Sequence, residues 1–480
     1  MRPFCIVAVL SLLIATCSST TTVIPTKNLE HPPDMTFVCL ELTSDGLSGQ
    51  PMEACHARDV VDPKTSSNGQ RILGTFAFIA SPGRNELAVA DMDTGRLLDL
   101  TPYAPGYGML PVGENPEAIA STQDGCWVAT ANRTSCDFSL VDPARLLTAS
   151  TATFLSAVPA THTGDVSRRI SIKGLHSMPG EIAFLPSLAT SSCSASAPPR
   201  AVVTFPTCDM VAILEFSFEN ASASIVNAFY VRPDLPGGFV AAGNAPVCPS
   251  DCGAVSEADG GAEAVDAGGV NGAGVDGGTS GQDTAWHLQP LALLPDGSRV
   301  YVGSLFDTTI TSLDISAAGL LEHPVRFSLA ENPVGVSRLR LGIDPYRAAT
   351  AVNADGTTGG QFLQNRGKFL YAFTRDDSIR VVKLADPQEV VNQATPVECD
   401  VNIIAKSDQE KIQGCLPVGT ANRRPLAQGP GIRIPTFSNP DSPSPVPRDI
   451  AFADLQPLAT DTNYHALSGQ FGFVVASNGY

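Results

Sequence analysis

Hydrophobic positions along this chain gather in short runs, each closed by a polar turn. The stretch "DGCWVATANRTSCDFSLVD", residues 124–142, shows the unit: turn, apolar run, turn, apolar run, then a carboxylate. Seventeen positions separate Gly125 from Asp142, and the same interval separates Gly74 from Asp91 and Gly297 from Asp314. Overlaid without gaps, the three segments predict a strand (76–80, 127–131, 300–303), a turn (81–85, 132–136, 304–308) and a second strand ending in an acid. Looser copies lie at 199–216 and 367–386, and "GQFGFVVASNGY" reads as the first half of another. A shorter apolar strand precedes several copies, in "NPEAIAST", "PGEIAFLP", "QPLALLPD" and "PRDIAFAD".

The longer runs are continuously apolar, the pattern of a strand covered on both faces. Asn, Ser, Gly and Asp fill the turns because the chain must reverse tightly there. A lone small sheet cannot cover both of its faces, so the copies must stack on one another. The 51-residue step from Gly74 to Gly125 fits a propeller blade, about four strands in roughly 40–50 residues. Asp142-Pro143 and Asp386-Pro387 suit the ends of units, where proline halts strand pairing. The expected fold class is therefore all-β, a β-propeller, with a β-sandwich as the alternative that needs no fixed Gly-to-Asp interval. Six partial units are visible. Either a further unit has drifted, or the N-terminal "MTFVCLEL" supplies strands. The chain stops just after a turn signal, so either an N-terminal strand completes the last unit or the sequence is a piece of a longer protein; we expect the second.

"PVGENPEAIASTQDGCWVATANRTSCDFSLVD" and "LQPLALLPDGSRVYVGSLFDTTITSLD" resemble the bacterial YVTN/lactonase-like β-propeller repeats: Pro, apolar strand, Asp-Gly, strand, Asn/Ser turn, strand, Asp. The resemblance covers residues 74–480 in patches and implies seven blades, within a range of six to eight. Some members of that family are lactonases with a polar central cleft. Their catalytic residues do not align onto this chain, so no catalytic residue is assigned.

The N-terminus changes the picture of location. Arg2 and Pro3 are followed by a twelve-residue apolar stretch interrupted only by Ser11, "FCIVAVLSLLIA", and then by "TCSSTTT". A membrane span needs about 20 apolar residues, so residues 1–16 read as a secretory signal peptide. "LIATC" resembles the lipobox of bacterial lipoproteins and marks Cys17 for lipidation, with a departure at Thr16, where Gly, Ala or Ser is usual. Ser18 in place of Asp points, by the same resemblance, to the outer membrane. The alternative is an ordinary cleaved signal with Cys17 incidental. Residues 17–35 then form a Ser/Thr/Pro-rich flexible tether and 36–480 the propeller.

Cysteine usage agrees with export. Beyond Cys5 and Cys17, ten cysteines remain, in neighbouring couples: Cys39 with Cys55, Cys126 with Cys136, Cys193 with Cys208, Cys248 with Cys252, Cys399 with Cys415. Connectivity does not follow from sequence, but local pairs would staple hairpins in an oxidising compartment. "CPSDC" lacks the second ligand pair of a zinc site, so no metal is expected. The formal charge of −18 and the lack of any basic run argue against nucleic acid. Residues 249–285 hold seven acids and neither Lys, Arg nor an aromatic. That composition cannot bury enough apolar area to offset chain ordering, and a disordered insertion is expected. Its Asp/Gly alternation is too irregular for a calcium repeat.

Candidate chemistry is sparse. No G-x-S-x-G, H-E-x-x-H or phosphate loop is present, and no cofactor is expected. Two tryptophans are too few for the stacked rings usual in quinone-dependent propellers. Glu117, His176, Glu181, His287 and Asp449 each sit at or just before the start of a shorter strand, and are the candidates for the channel rim. The expected function is a lipid-anchored envelope module that binds or scaffolds a protein or glycan partner. The alternative is a lactonase-like hydrolase in the channel.

Overall fold

The computed structural model describes chiefly residues 32–56, 73–148, 166–186, 198–248, 288–342 and 369–384, with strand segments between 397 and 477. Six antiparallel sheets follow one another along these residues, besides two short ribbons pairing Leu147–Thr148 with Ser156–Ala157 and Val397–Cys399 with Cys415–Pro417. A parallel pairing of Ser171–Ile172 with Ser222–Ala223 links the second sheet to the third. The second runs Pro116–Ser121, Val128–Asn132, Asp137–Val141, Ser167–Ile172, and the third Ile182–Phe184, Arg200–Phe205, Met210–Ser217, Ser222–Val231. The fourth runs Leu288–Leu293, Arg299–Ser304, Thr309–Ile315, Leu321–Ser328, and the fifth Val336–Gly342, Phe369–Thr374, Ser378–Lys383, Leu426–Ile432. The first sheet begins with Met35–Thr43, Leu73–Ser81 and Glu86–Asp91, and the sixth pairs Val446–Leu455 with Gly469–Ser477. The opening strand of each sheet touches the opening strand of the next. Small sheets stacked about a shared channel make a β-propeller.

Burial explains the stacking. The second strands Val128–Asn132 and Phe369–Thr374 are buried at every position, because each is covered on both faces by neighbouring sheets. Alternate residues of one strand serve different interfaces. Val202 joins Val300 and Val302 between the third and fourth sheets, while Ala201 and Val203 join Ala129 and Phe138 between the second and third. Tyr301 in turn packs with Leu339 and Leu370 between the fourth and fifth. The fully buried Phe216 meets Phe138 edge-on, with ring centroids 5.3 Å apart.

The turns repeat more strictly than the sequence suggests. The residue just before the third strand is left-handed in four sheets: Asn85 (φ 56°), Cys136 (φ 53°), Asp209 (φ 49°) and Asp377 (φ 60°). Asn and Asp tolerate that conformation, which accounts for the polar turns. The three glycines of the repeat are not equivalent. Gly125 and Gly297 turn at φ +70°, whereas Gly74 lies inside a strand. The acids that close the repeat also differ. Asp314 pairs with Arg299 across two strands (2.7 Å), as Glu215 does with Arg200 (2.6 Å), while Asp142 caps a short helix through the Arg145 amide (3.0 Å).

Two disulfides have defined partners. Cys39–Cys55 pairs the couple expected, with the Cα atoms 5.8 Å apart. Cys208 bonds Cys248 instead (Cα–Cα 5.4 Å), which overturns local pairing of Cys208 with Cys193 and of Cys248 with Cys252. The reason lies in the path of the chain. After the third sheet's outer strand it folds back over the sheet, where the Tyr230 hydroxyl accepts from the Val247 amide (2.6 Å). That brings Cys248 above the turn that carries Cys208. Cys126 and Cys136 are also disulfide-bonded. The signal segment, Cys17, most of the tether, Cys193, Cys252 and residues 249–285 lie outside the described residues.

Candidate functional site

A cavity of about 970 Å3 occupies the channel, and the opening strands of all six described sheets contribute to its lining. Its charged residues come from three of these sheets and from Asp34, just ahead of the first. The fifth sheet's opening strand reads "VSRLRLG", and its period of two places Arg338 and Arg340 on one face. Leu339 turns the other way into the core between the fourth and fifth sheets.

Arg340 holds Asp449 of the sixth sheet in a fork, with Nε to Oδ1 at 2.9 Å and Nη2 to Oδ2 at 3.0 Å. It also reaches Asp34 Oδ1 at 3.5 Å. Arg338 contacts Asp449 and Asp34 at 3.3 Å each and donates to the Pro33 carbonyl at 3.2 Å. The cluster thus ties the fifth sheet to the sixth and to the chain entering the first. Burial alone would lower the pKa of Arg340, but the charges of Asp34 and Asp449 outweigh it and raise the value. Burial pushes the Asp449 carboxyl up, and the charge and hydrogen bonds of Arg340 more than reverse this, holding it below the ordinary aspartate value.

Two carboxylates at the start of opening strands clip the next sheet. Asp34 Oδ2 accepts from the Ile119 amide (3.3 Å) and Glu181 Oε2 from the Leu291 amide (2.9 Å). Each satisfies a backbone donor facing the channel. Glu181 keeps some accessible surface towards the cavity, yet protein atoms crowd out most bulk water. This desolvation raises its pKa, assisted by the negative charge of Asp34 and opposed by Arg338, Arg340 and the Leu291 amide.

The sign follows. A carboxyl whose folded pKa exceeds its unfolded one stabilises the fold fully below the unfolded value, and loses that contribution as pH rises through the folded one. Glu181→Gln, which keeps an oxygen for the Leu291 amide, is therefore expected to match the parent below pH 4.5 and to melt at a higher temperature at neutral pH. Thermal unfolding followed at both pH values checks this. A lower neutral-pH melting point would show that ionised Glu181 is favourable where it sits.

The five rim candidates from sequence separate. Glu181 and Asp449 line the cavity. Glu117 turns away to an ion pair with Arg133 (2.9 Å), and His176 is exposed on a connecting segment away from the cavity lining. His287 lies outside the described residues. Sequence reading missed Asp34, Arg338 and Arg340. Asp34 follows Pro33 as the acids of "NPEAIAST" and "PGEIAFLP" follow Pro or Gly, and that parallel was its signal. Among the described residues no group of His, Cys, Asp and Glu is arranged to hold a metal ion.

No family model matches the chain, and no curated protein matches it. Solved structures are similar in outline. The periplasmic gluconolactonase PpgL of Pseudomonas aeruginosa aligns over 74% of this chain and 80% of its own at 11% identity and TM-score 0.33. Apo AztD from Citrobacter koseri aligns over 65% and 68% at 12% identity and TM-score 0.32. The β-propeller domain of Cps50 (Swd1) from Myceliophteria thermophila aligns over 64% and 79% at 10% identity and TM-score 0.29. None of these bears on ligand or chemistry.

Proposed function

We propose that the protein is an exported, lipid-anchored envelope propeller that works as a binding module, with the channel cavity as the seat of a small ligand and the outer faces available to a protein or glycan partner. One observation carries the seat: a cavity of about 970 Å3 walled by apolar side chains around a charged cluster, the mixture common to ligand sites. Both guanidiniums of that cluster are engaged by Asp34 and Asp449, so they brace the wall and do not sit poised for a reacting group. The signal segment and Cys17 support export and anchoring by their sequence pattern alone. No helix among the described residues is long and apolar enough to cross a membrane.

A lactonase-like hydrolase is the second reading, favoured by Glu181, a carboxyl of raised pKa beside two arginines in a cavity. The full chain, isolated from membranes in mild detergent, separates the two. Native mass spectrometry is expected to show a small molecule that leaves on denaturation, and peptide mapping a diacylglycerol on Cys17. Hydrolysis of a lactone panel that disappears in Glu181→Gln would replace the binding reading with the enzymatic one. An unmodified N-terminus beyond residue 17 would remove the anchor.

A further inference from the structure

We propose that the channel recognises an organic ammonium ion, with Glu181 receiving the cationic head and Met35, Phe37 and Met52 forming the wall along which its apolar body lies. This rests on the reading of the cavity as a binding seat. Pairing among the lining charges decides the class of ligand. Three cations, Arg338, Arg340 and Arg448, and three anions, Asp34, Asp449 and Glu181, line the cavity. Arg338 and Arg340 are engaged by Asp34 and Asp449 and Arg448 is also engaged, which leaves Glu181 as the carboxylate with an oxygen to spare. Its Oε2 is held by the Leu291 amide, while Oε1 has no hydrogen-bond partner among the described residues and is free to accept one from the cavity. An anion would have to displace carboxylates that are already bound, one of them in a two-point fork. A chain of formal charge −18 also draws cations towards its clefts.

The apolar wall supplies the second half of the specificity. Met35 and Phe37 stand two positions apart, hence on one face of their strand. They line the cavity while remaining 53% and 39% exposed. Large apolar side chains left open inside a cavity mark a surface awaiting contact. Methionine adapts to irregular shapes, and a phenylalanine ring attracts a cation to its face.

The groups around Glu181 fix how binding responds to pH. Arg338 and Arg340 face it from the fifth sheet and Asp34 from the first, with Asp449 behind Arg340 and Arg448 beside Asp449 on the sixth; the fourth sheet offers the Leu291 amide, and the second sheet's lining stretch, residues 119–123, carries no titratable side chain. An arriving ammonium favours the ionised carboxylate, so binding displaces the Glu181 proton at acid pH and affinity rises as pH increases.

Calorimetry with hexylammonium, hexanoate and hexanol, three probes of one apolar length, tests this. Hexylammonium is expected to bind at least about tenfold more tightly than hexanoate. Its affinity should climb as pH rises from Glu181's ordinary value of 4.5 through the raised folded value, with proton release, as linkage requires. Glu181→Gln should lower ammonium affinity by about tenfold and leave hexanol unchanged, whereas Phe37→Ala should weaken all three probes. Hexanoate binding as well as hexylammonium, or a Gln variant binding the ammonium like the parent, overturns the ammonium assignment while leaving the cavity as a seat. Binding of none of the three, together with no co-purifying small molecule, overturns the seat itself.

Discussion

Replacing Arg340 by alanine should lower the free energy of unfolding by about 2–3 kcal/mol, short of the full cost of breaking a deeply buried pair because both partners keep about 30% of their side-chain surface. The loss comes from Asp449, left in the channel wall without its two-point partner, and from Asp34, left with Arg338 alone. Among the described residues the first and last sheets share no strand, so this cluster is the charged bond that spans the join. Arg340→Lys keeps the charge but not the fork and should fall between the parent and the alanine variant. The pH dependence has a definite sign. Asp449 has a depressed pKa, so its contribution is present above the ordinary value of 3.8 and is lost as pH falls through the folded one. The gap between parent and Arg340→Ala, read from urea midpoints, should therefore narrow in acid. An unchanged midpoint at neutral pH would mean that the ring holds without the cluster.

Phe216→Ala should cost more, about 3–5 kcal/mol, the range for emptying a buried aromatic site. Phe216 is wholly buried between the second and third sheets, edge-on to Phe138 and 6.0 Å from Phe184. Its removal takes away transfer energy, leaves a cavity among side chains that cannot all close in, and loses two ring contacts worth about 0.5–1.5 kcal/mol each. The urea midpoint should drop with little change of slope, since the surface exposed on unfolding barely alters. Phe306, 55% exposed, is the control; its alanine variant should shift stability by less than about 1 kcal/mol. Equal effects at the two sites would contradict a core built at the faces between sheets.

The parts of this fold that sequence discloses are those where one physical demand acts on every residue of a run. The second strand of each sheet must be apolar on both faces, and "RAVVTF" and "FLYAFT" say so directly. The fourth strands are harder to read. Ser167–Ile172 is half exposed and carries two arginines, and Leu426–Ile432 joins its sheet from more than forty residues beyond the third strand, Ser378–Lys383. Met35–Thr43 precedes the first clear repeat, so Asp34 is read as the end of a tether when it stands in the channel wall. Arg338 and Arg340 carry a period-two signal, but only the assembled ring shows that their face meets Asp34 and Asp449. The Cys208–Cys248 bond was illegible for a similar reason, because it depends on where a chain returns after leaving its sheet.

The parallel pairing of Ser171–Ile172 with Ser222–Ala223 joins the outer margins of the second and third sheets. An outermost strand offers a row of unsatisfied backbone groups to any chain that drifts past, the opening step of aggregation. Here two such margins partly satisfy each other, and the fourth sheet's margin is instead blunted by Pro324 and by His323 in a left-handed kink. A fold built of many small sheets gains from this, since neighbouring copies find fewer places to add a strand.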